Sequence, residues 1–192
     1  PSSRARAHVE LAMLHLRHLP PTPQTVDLTR SHLLQAREAL APGPGEDYDT
    51  AMAALMTDNA QALLLNHTGL FREANQLLME MLGRLTAVTE RFPVWRARNT
   101  LLQSVIHINQ VQCHLAAGQP LDALEAAEAS ARLDPFNGEV HLFKARALQK
   151  LGRVPSAREA YVRSAALEPT RVDTWTELAV LERALIGQPH TG

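Results

Sequence analysis

The sequence predicts an all-α fold built from helical hairpins, on the basis of three observations. The stretch HLAAGQPLDALEAAEASARLDP, residues 114–135, aligns without a gap with LQKLGRVPSAREAYVRSAALEP, residues 148–169, at a spacing of 34 residues. Apolar residues recur three or four positions apart along the chain, which is the period of an amphipathic helix. Glycine and proline fall at the ends of these apolar segments. We therefore predict helices joined by short turns and no strand.

The predicted helices lie between recognisable breakers. In chain order the breakers are LPPTPQ, APGPGE, HTG, Pro93, AAGQP, DPFNG, LGRVP and EPT. Between them we predict helices at residues 4–18, 25–40, 46–66, 70–91, 94–117, 120–133, 138–151, 154–167 and 171–186. Nine helices with short connections make four hairpins and one helix left over.

Pro93 predicts a break between two long helical patterns. Proline cannot donate a backbone hydrogen bond, and it disfavours helical geometry at the preceding Phe92. Phe92, Val94 and Trp95 come together here in a chain that is only 4% aromatic. We expect these three side chains to be buried as a plug between the second and third hairpins. Trp95→Ala would then cost about 3 to 5 kcal/mol and split one melting transition into two.

Composition restricts the classes of function. The 192 residues are 45% hydrophobic, and the formal net charge is −1, which disfavours nucleic acid as a partner. The only cysteine is Cys113, so no intrachain disulfide can form, and a reducing cytoplasm is the simpler location. No apolar stretch approaches the roughly 18 to 20 residues of a membrane span, so we expect no membrane association. Because Lys144 and Lys150 are the only lysines among many arginines, a GC-rich bacterial gene is favoured.

Small, apolar and turn-forming residues recur at equivalent positions of the aligned repeats. In residues 138–171 they are Ala145 where paired helices cross, Gly152 in the turn, Ala157 in the second helix, Tyr161 as the aromatic and Pro169 at the end. In residues 104–137 they are Val111, Gly118, Ala123, Leu133 and Pro135, with Ala127 in place of the aromatic. This pattern resembles the tetratricopeptide repeat family, whose unit is a 34-residue helix-turn-helix. The resemblance is specific over 104–182 and looser over 1–103.

The resemblance implies a right-handed α-solenoid of about four hairpins with a C-terminal capping helix. It implies a single domain over 1–192, with divergent repeats and longer helices at 1–103. Two repeats close to the consensus follow at 104–171, and the cap lies at 172–186. From Gly69 to Gly118 is 49 residues, so the middle helices exceed the standard unit.

The resemblance also implies where a partner binds, because family members hold peptides in a concave face lined by first helices. The inward-pointing first-helix positions give eleven candidates: Asn59, Leu63, Asn66, Ile108, Asn109, Gln112, Leu142, Arg146, Gln149, Thr176 and Arg183. Amide side chains donate and accept at once, which suits a peptide backbone. The same residues could instead be ordinary hydrated surface. We expect a non-catalytic module that binds a protein or peptide, as an adaptor, a sensor domain of a regulator or a recognition arm.

The histidines raise a catalytic or metal-binding alternative. His8 and His15 are seven residues apart, as are His107 and His114, so each pair shares one helical stripe. Positions about 10 Å apart along a helix cannot share one zinc ion, whose bonds are about 2 Å. The chain also has no glycine-rich phosphate loop, GxSxG, HExxH or CxxC motif. We therefore predict packing roles for the histidines, with no enzyme activity, metal or cofactor.

Two other classes of function stay open at this point. The array could self-associate through its apolar or extended middle helices, as a structural scaffold or homodimer. It could also be a metal-dependent enzyme or metal sensor that uses the histidines.

Overall fold

The computed structural model describes residues 2–40 and 47–186. Within these stretches there are nine α-helices, one 3-10 turn and no strand. The helices are α1 Ser2–His18, α2 Pro23–Ala39, α3 Tyr48–His67, α4 Phe71–Arg91, α5 Arg96–Ala116, α6 Pro120–Leu133, α7 Gly138–Lys150, α8 Val154–Leu167 and α9 Val172–Ile186.

The all-α fold predicted from the sequence is confirmed, and the helices begin and end within two residues of the predicted positions. The APGPGE breaker and residue 46, the predicted start of the third helix, lie outside the described residues. No helix in the described part of the chain combines the length and apolar character that crossing a bilayer requires.

Glycine sets the turn at the end of three helices. Gly69, Gly118 and Gly152 have φ of 82°, 72° and 70°, a region that other residues rarely adopt. After each glycine, the next backbone N–H donates to the carbonyl five residues earlier, at 2.9 Å from Leu70 to Leu65 and 3.0 Å from Arg153 to Leu148. This is the Schellman closure of a helix C-terminus. The same turn chemistry therefore closes α3, α5 and α7.

The chain forms two compact units, Pro1–Asn109 and Gln110–Gly192. In the first unit α1 packs on α2, α3 packs on α4, and α3 also contacts α1 and α2. In the second unit each of α6, α7, α8 and α9 packs on the helix before or after it in the chain. Such packing between neighbours is typical of helical-repeat proteins. The single domain over 1–192 and the right-handed superhelix stay predictions.

Alanine allows the helices to approach closely in both units. In the first unit the core of α1, α2 and α3 contains Ala12, Ala36 and Ala60, all fully buried. In the second unit Ala145 and Ala157, the small residues predicted from the repeat, are also fully buried. A side chain of one methyl group leaves room for a neighbouring helix without weakening its own.

The predicted break at Pro93 is confirmed. The helix α4 ends at Arg91, Phe92 has φ −127° and ψ 65°, and a 3-10 turn over Pro93–Trp95 leads into α5. The predicted burial of the aromatic plug is wrong, because Val94 is 84% exposed, Trp95 is 43% exposed and Phe92 is only half-buried. The turn carries these side chains along the surface, where Trp95 stacks flat on Tyr48 with ring centroids 4.9 Å apart.

This geometry lowers the effect expected for Trp95→Ala. One ring face packs on Tyr48 while much of the residue contacts solvent, so we expect a loss of about 1 kcal/mol of unfolding free energy. Urea unfolding followed by circular dichroism measures it. A loss above about 3 kcal/mol, the range of buried aromatic truncations, would contradict the exposed position.

Candidate functional site

Five candidate residues of the second unit lie on α7 and α9. On α7, Leu142 is buried, Arg146 is half-buried and Gln149 is exposed. On α9, Thr176 and Arg183 are exposed and lie seven residues apart, which is about two turns. The helix α7 begins at Gly138 because Asn137 caps it, accepting a hydrogen bond from the backbone N–H of Glu139 at 3.0 Å.

A bidentate ion pair joins these two helices. The Arg146 Nε donates to Glu177 Oε1 and Oε2 at 3.1 and 3.0 Å, and Arg146 Nη2 donates to Oε1 at 2.5 Å. The Arg146 guanidinium also lies 4.9 Å from the ring centroid of Phe143. Such a fork fixes the orientation of both side chains. Arg146, predicted to face a peptide, is thus engaged within the unit.

The hydroxyl of Tyr161 on α8 also contacts this ion pair. Its hydroxyl oxygen lies 2.9 Å from Glu177 Oε2 and 2.7 Å from Gln149 Oε1. Because a phenol has one proton, it can donate to only one of these oxygens. The carboxylate is the stronger acceptor. The Gln149 amide can turn its nitrogen toward the phenol oxygen and donate to it.

The ionisation of this network follows from its contacts. Burial acts to raise the pKa of Glu177, but the hydrogen bonds and charge of Arg146 outweigh it, so the pKa is lowered. Burial raises the pKa of Tyr161, and the hydrogen bond to Glu177 raises it further. The pair therefore stays charged, and the phenol stays protonated, at neutral pH.

The candidate residues of the first unit are more deeply placed. Asn59, Ile108 and Asn109 are buried, with 8%, 4% and 6% exposed. Asn109 Nδ2 donates to Asn59 Oδ1 at 2.6 Å. Leu63 and Asn66 are half-buried. Two of the amides expected to face a peptide thus bind each other instead.

Gln112, which lies in the second unit, is half-buried. Of the eleven candidates the structure therefore leaves Gln149, Thr176 and Arg183 exposed. Peptide contact by any of the eleven stays a prediction.

Three imidazoles meet between α1 and α2, and only His8 and His15 were recognisable as a pair from their spacing in the sequence. His32 lies with its ring centroid 5.5 Å from those of His8 and His15. The Nδ1 atoms of His8 and His32 are 3.2 Å apart, so one of them carries the proton that the other accepts. Burial lowers the pKa of His32, and the charges of His15 and His8 lower it further. Its position on another helix is what hid His32 from a search by spacing along one stripe.

His114 and His141, two histidines outside this cluster, each contact a polar group of the protein. His114 Nδ1 lies 3.1 Å from Gln119 Oε1, and His141 Nε2 lies 2.9 Å from the Pro135 carbonyl. Cys113 is buried, and burial raises the pKa of its thiol to about 11, so a thiolate is disfavoured. In the described ranges no three histidine, cysteine or acidic side chains are grouped to hold a metal ion.

The packed hairpins and repeated glycine turns define a helical-repeat protein. Residues 114–174, from the end of α5 to the start of α9, match the family model for the tetratricopeptide repeat. This segment, about a third of the chain, is similar to the tetratricopeptide repeat, and the resemblance drawn from Gly118, Gly152 and the small residues is confirmed there. No curated protein matches the chain. The family match supports a protein–protein interaction module in general.

Proposed function

We propose that this chain is a non-catalytic module that docks a segment of a partner protein on the first-helix face of its repeats. It would act as an adaptor, a sensor domain of a regulator or a recognition arm of a larger assembly. The observation that carries the proposal is the tetratricopeptide match over 114–174, within which α7 supplies a first helix with an exposed polar end.

The chemistry of this face suits a peptide backbone. Gln149 can donate and accept, the Thr176 hydroxyl does the same, and Arg183 supplies a cation for a carboxylate. The Arg146–Glu177 pair supports the proposal because it fixes α7 beside the start of α9 through three contacts of 2.5 to 3.1 Å. A surface held in one geometry loses less entropy when a partner binds.

We expect the triple variant Gln149→Ala, Thr176→Ala and Arg183→Ala to weaken peptide binding by about tenfold. The probe is a twelve-residue peptide selected from a random peptide-display library for binding to the wild-type chain. It is labelled with fluorescein, and its binding to each variant is measured by fluorescence anisotropy. The control is Ser156→Ala, Glu159→Ala and Arg163→Ala, three exposed positions on the second helix α8. All six side chains are exposed, so we expect both variants to fold like the wild type.

The affinities of the two variants distinguish docking on the first-helix face from docking elsewhere. Weaker binding by the α7 and α9 variant alone supports docking on the first-helix face. Equal affinities in both variants, or failure to select any peptide, would reject it. Light scattering on the same samples tests the alternative of self-association, since a mass that rises with concentration would favour the scaffold.

A further inference from the structure

An apolar groove lies between α3 and α4 in the first unit. It has a volume of about 200 Å³. A cavity of about 150 Å³ is already enough to hold a benzene ring. Its apolar lining is formed by Ala51, Ala54, Leu55, Ala87 and Val88.

Alanine creates the groove. Ala51 on α3 is buried at the floor, Ala54 is half-buried, and Ala87 on α4 is exposed at the rim. Larger side chains at these three positions would fill the space between the helices. The groove is therefore open to solvent.

The rim of the groove carries an excess of positive charge. Arg84 and Arg91 both line it, seven residues apart on α4 and so on one stripe. Asp58 accepts from Arg84 and, at 3.1 Å, from Arg37, so two cations share one carboxylate. Among the described side chains Arg91 has no carboxylate partner and lies 5.1 Å from the Phe92 ring centroid. In a chain of net charge −1 this surplus is local.

Aromatic surface extends from one end of the groove. Phe92 lines the groove and meets Tyr48 edge to face, with centroids 5.7 Å apart. Trp95 stacks on the same Tyr48 ring and leaves 43% of its surface exposed. Exposed tryptophan beside arginine is the composition that carries most binding energy in protein interfaces.

We propose that this groove is a second docking surface, which takes an apolar side chain of a partner protein segment whose neighbouring residues are acidic. The apolar side chain enters between α3 and α4. The flanking carboxylates pair with Arg91 and Arg84, and Trp95 packs on the segment where it leaves the groove. The occupant is assigned from charge complementarity, because the rim cations outnumber the carboxylates that pair with them.

The probe is a short fluorescein-labelled peptide of leucine and glutamate, titrated into the full chain by anisotropy, with Trp95 and Trp175 fluorescence as a second readout. Two matched peptides carry lysine in place of glutamate, or serine in place of leucine. We expect binding of the leucine and glutamate peptide alone. We also expect about tenfold weaker binding with Arg91→Glu, which reverses the rim charge, and with Ala87→Trp, which fills the groove from an exposed position.

Arg72→Glu is the matched control, since Arg72 is exposed on the same helix but does not line the groove. Circular dichroism melting of each variant confirms that folding is kept. Equal binding of the lysine peptide, an equal loss with Arg72→Glu, or no binding at all would overturn the proposal. Decanoate, a small amphiphile, is tested as an alternative ligand. If decanoate binds and the peptide does not, the groove is a site for a small amphiphile and the proposal is overturned. A wild-type dimer that Arg91→Glu dissociates would overturn it in favour of a second copy.

This surface is separate from the first-helix face of the second unit. The triple variant Gln149→Ala, Thr176→Ala and Arg183→Ala should bind the leucine and glutamate peptide with wild-type affinity. If the triple variant binds this peptide more weakly, the peptide binds the first-helix face. The groove proposal then fails while the proposed function stands.

Discussion

Tyr161→Ala is expected to lower the free energy of unfolding by about 3 to 5 kcal/mol, because truncating a buried aromatic ring leaves a cavity and forfeits its packing. The residue is 0% exposed at the packed face of α8. Its removal also takes a hydrogen-bond partner from Glu177 and Gln149. Urea denaturation followed by far-UV circular dichroism gives the loss as a shift of the midpoint at constant slope.

One further variant separates the ring from the hydroxyl, and a second serves as a control. Tyr161→Phe keeps the ring and removes only the hydroxyl, so we expect a cost of about 0.5 to 1.5 kcal/mol. Val162→Ala is the neighbouring control, 46% exposed on the same helix, and should stay within about 0.5 kcal/mol of wild type. A Tyr161→Ala variant no less stable than Tyr161→Phe would show that the ring is not part of the core.

The course of the backbone was predictable from the sequence because local chemistry decides it. Gly152 ends α7 at a φ of 70°, which glycine reaches without strain, and Pro93 ends α4 by removing a donor. Ala145 and Ala157 are buried where the repeat pattern placed small residues. Each of these features depends on residues within one turn or one repeat.

Burial and pairing of individual side chains were not predictable in the same way. Local sequence indicated the break at Pro93, but the position of Trp95 depends on Tyr48, which belongs to α3. Likewise the repeat pattern placed Arg146 on the peptide-binding face. Its ion pair with Glu177 was not predictable because Glu177 belongs to another helix, α9. The groove between α3 and α4 exists only because alanines of two helices face each other. Spacing along one helix does not contain this information.

Asn109→Ala is expected to cost about 1 to 3 kcal/mol of unfolding free energy, because it leaves the Asn59 amide oxygen buried without its donor. The two side chains are 6% and 8% exposed, and the hydrogen bond between them is 2.6 Å long. It joins α5 to α3 across 50 positions of sequence within the first unit. A residue that serves only as hydrated surface for a peptide would instead tolerate the change within about 0.5 kcal/mol.

A double-mutant cycle isolates the amide pair. Asn59→Ala with Asn109→Ala should cost less than the sum of the single changes, because the second truncation removes the atom that the first left unpaired. Asn66→Ala is the matched control on α3, since the Asn66 amide oxygen is buried with no hydrogen-bond partner among the described residues, so its loss should cost little. Additive costs, or an Asn109→Ala variant as stable as wild type, would show that the pair is not structural. Asn59 and Asn109 would then be free to contact a peptide, as the resemblance to the repeat family first implied.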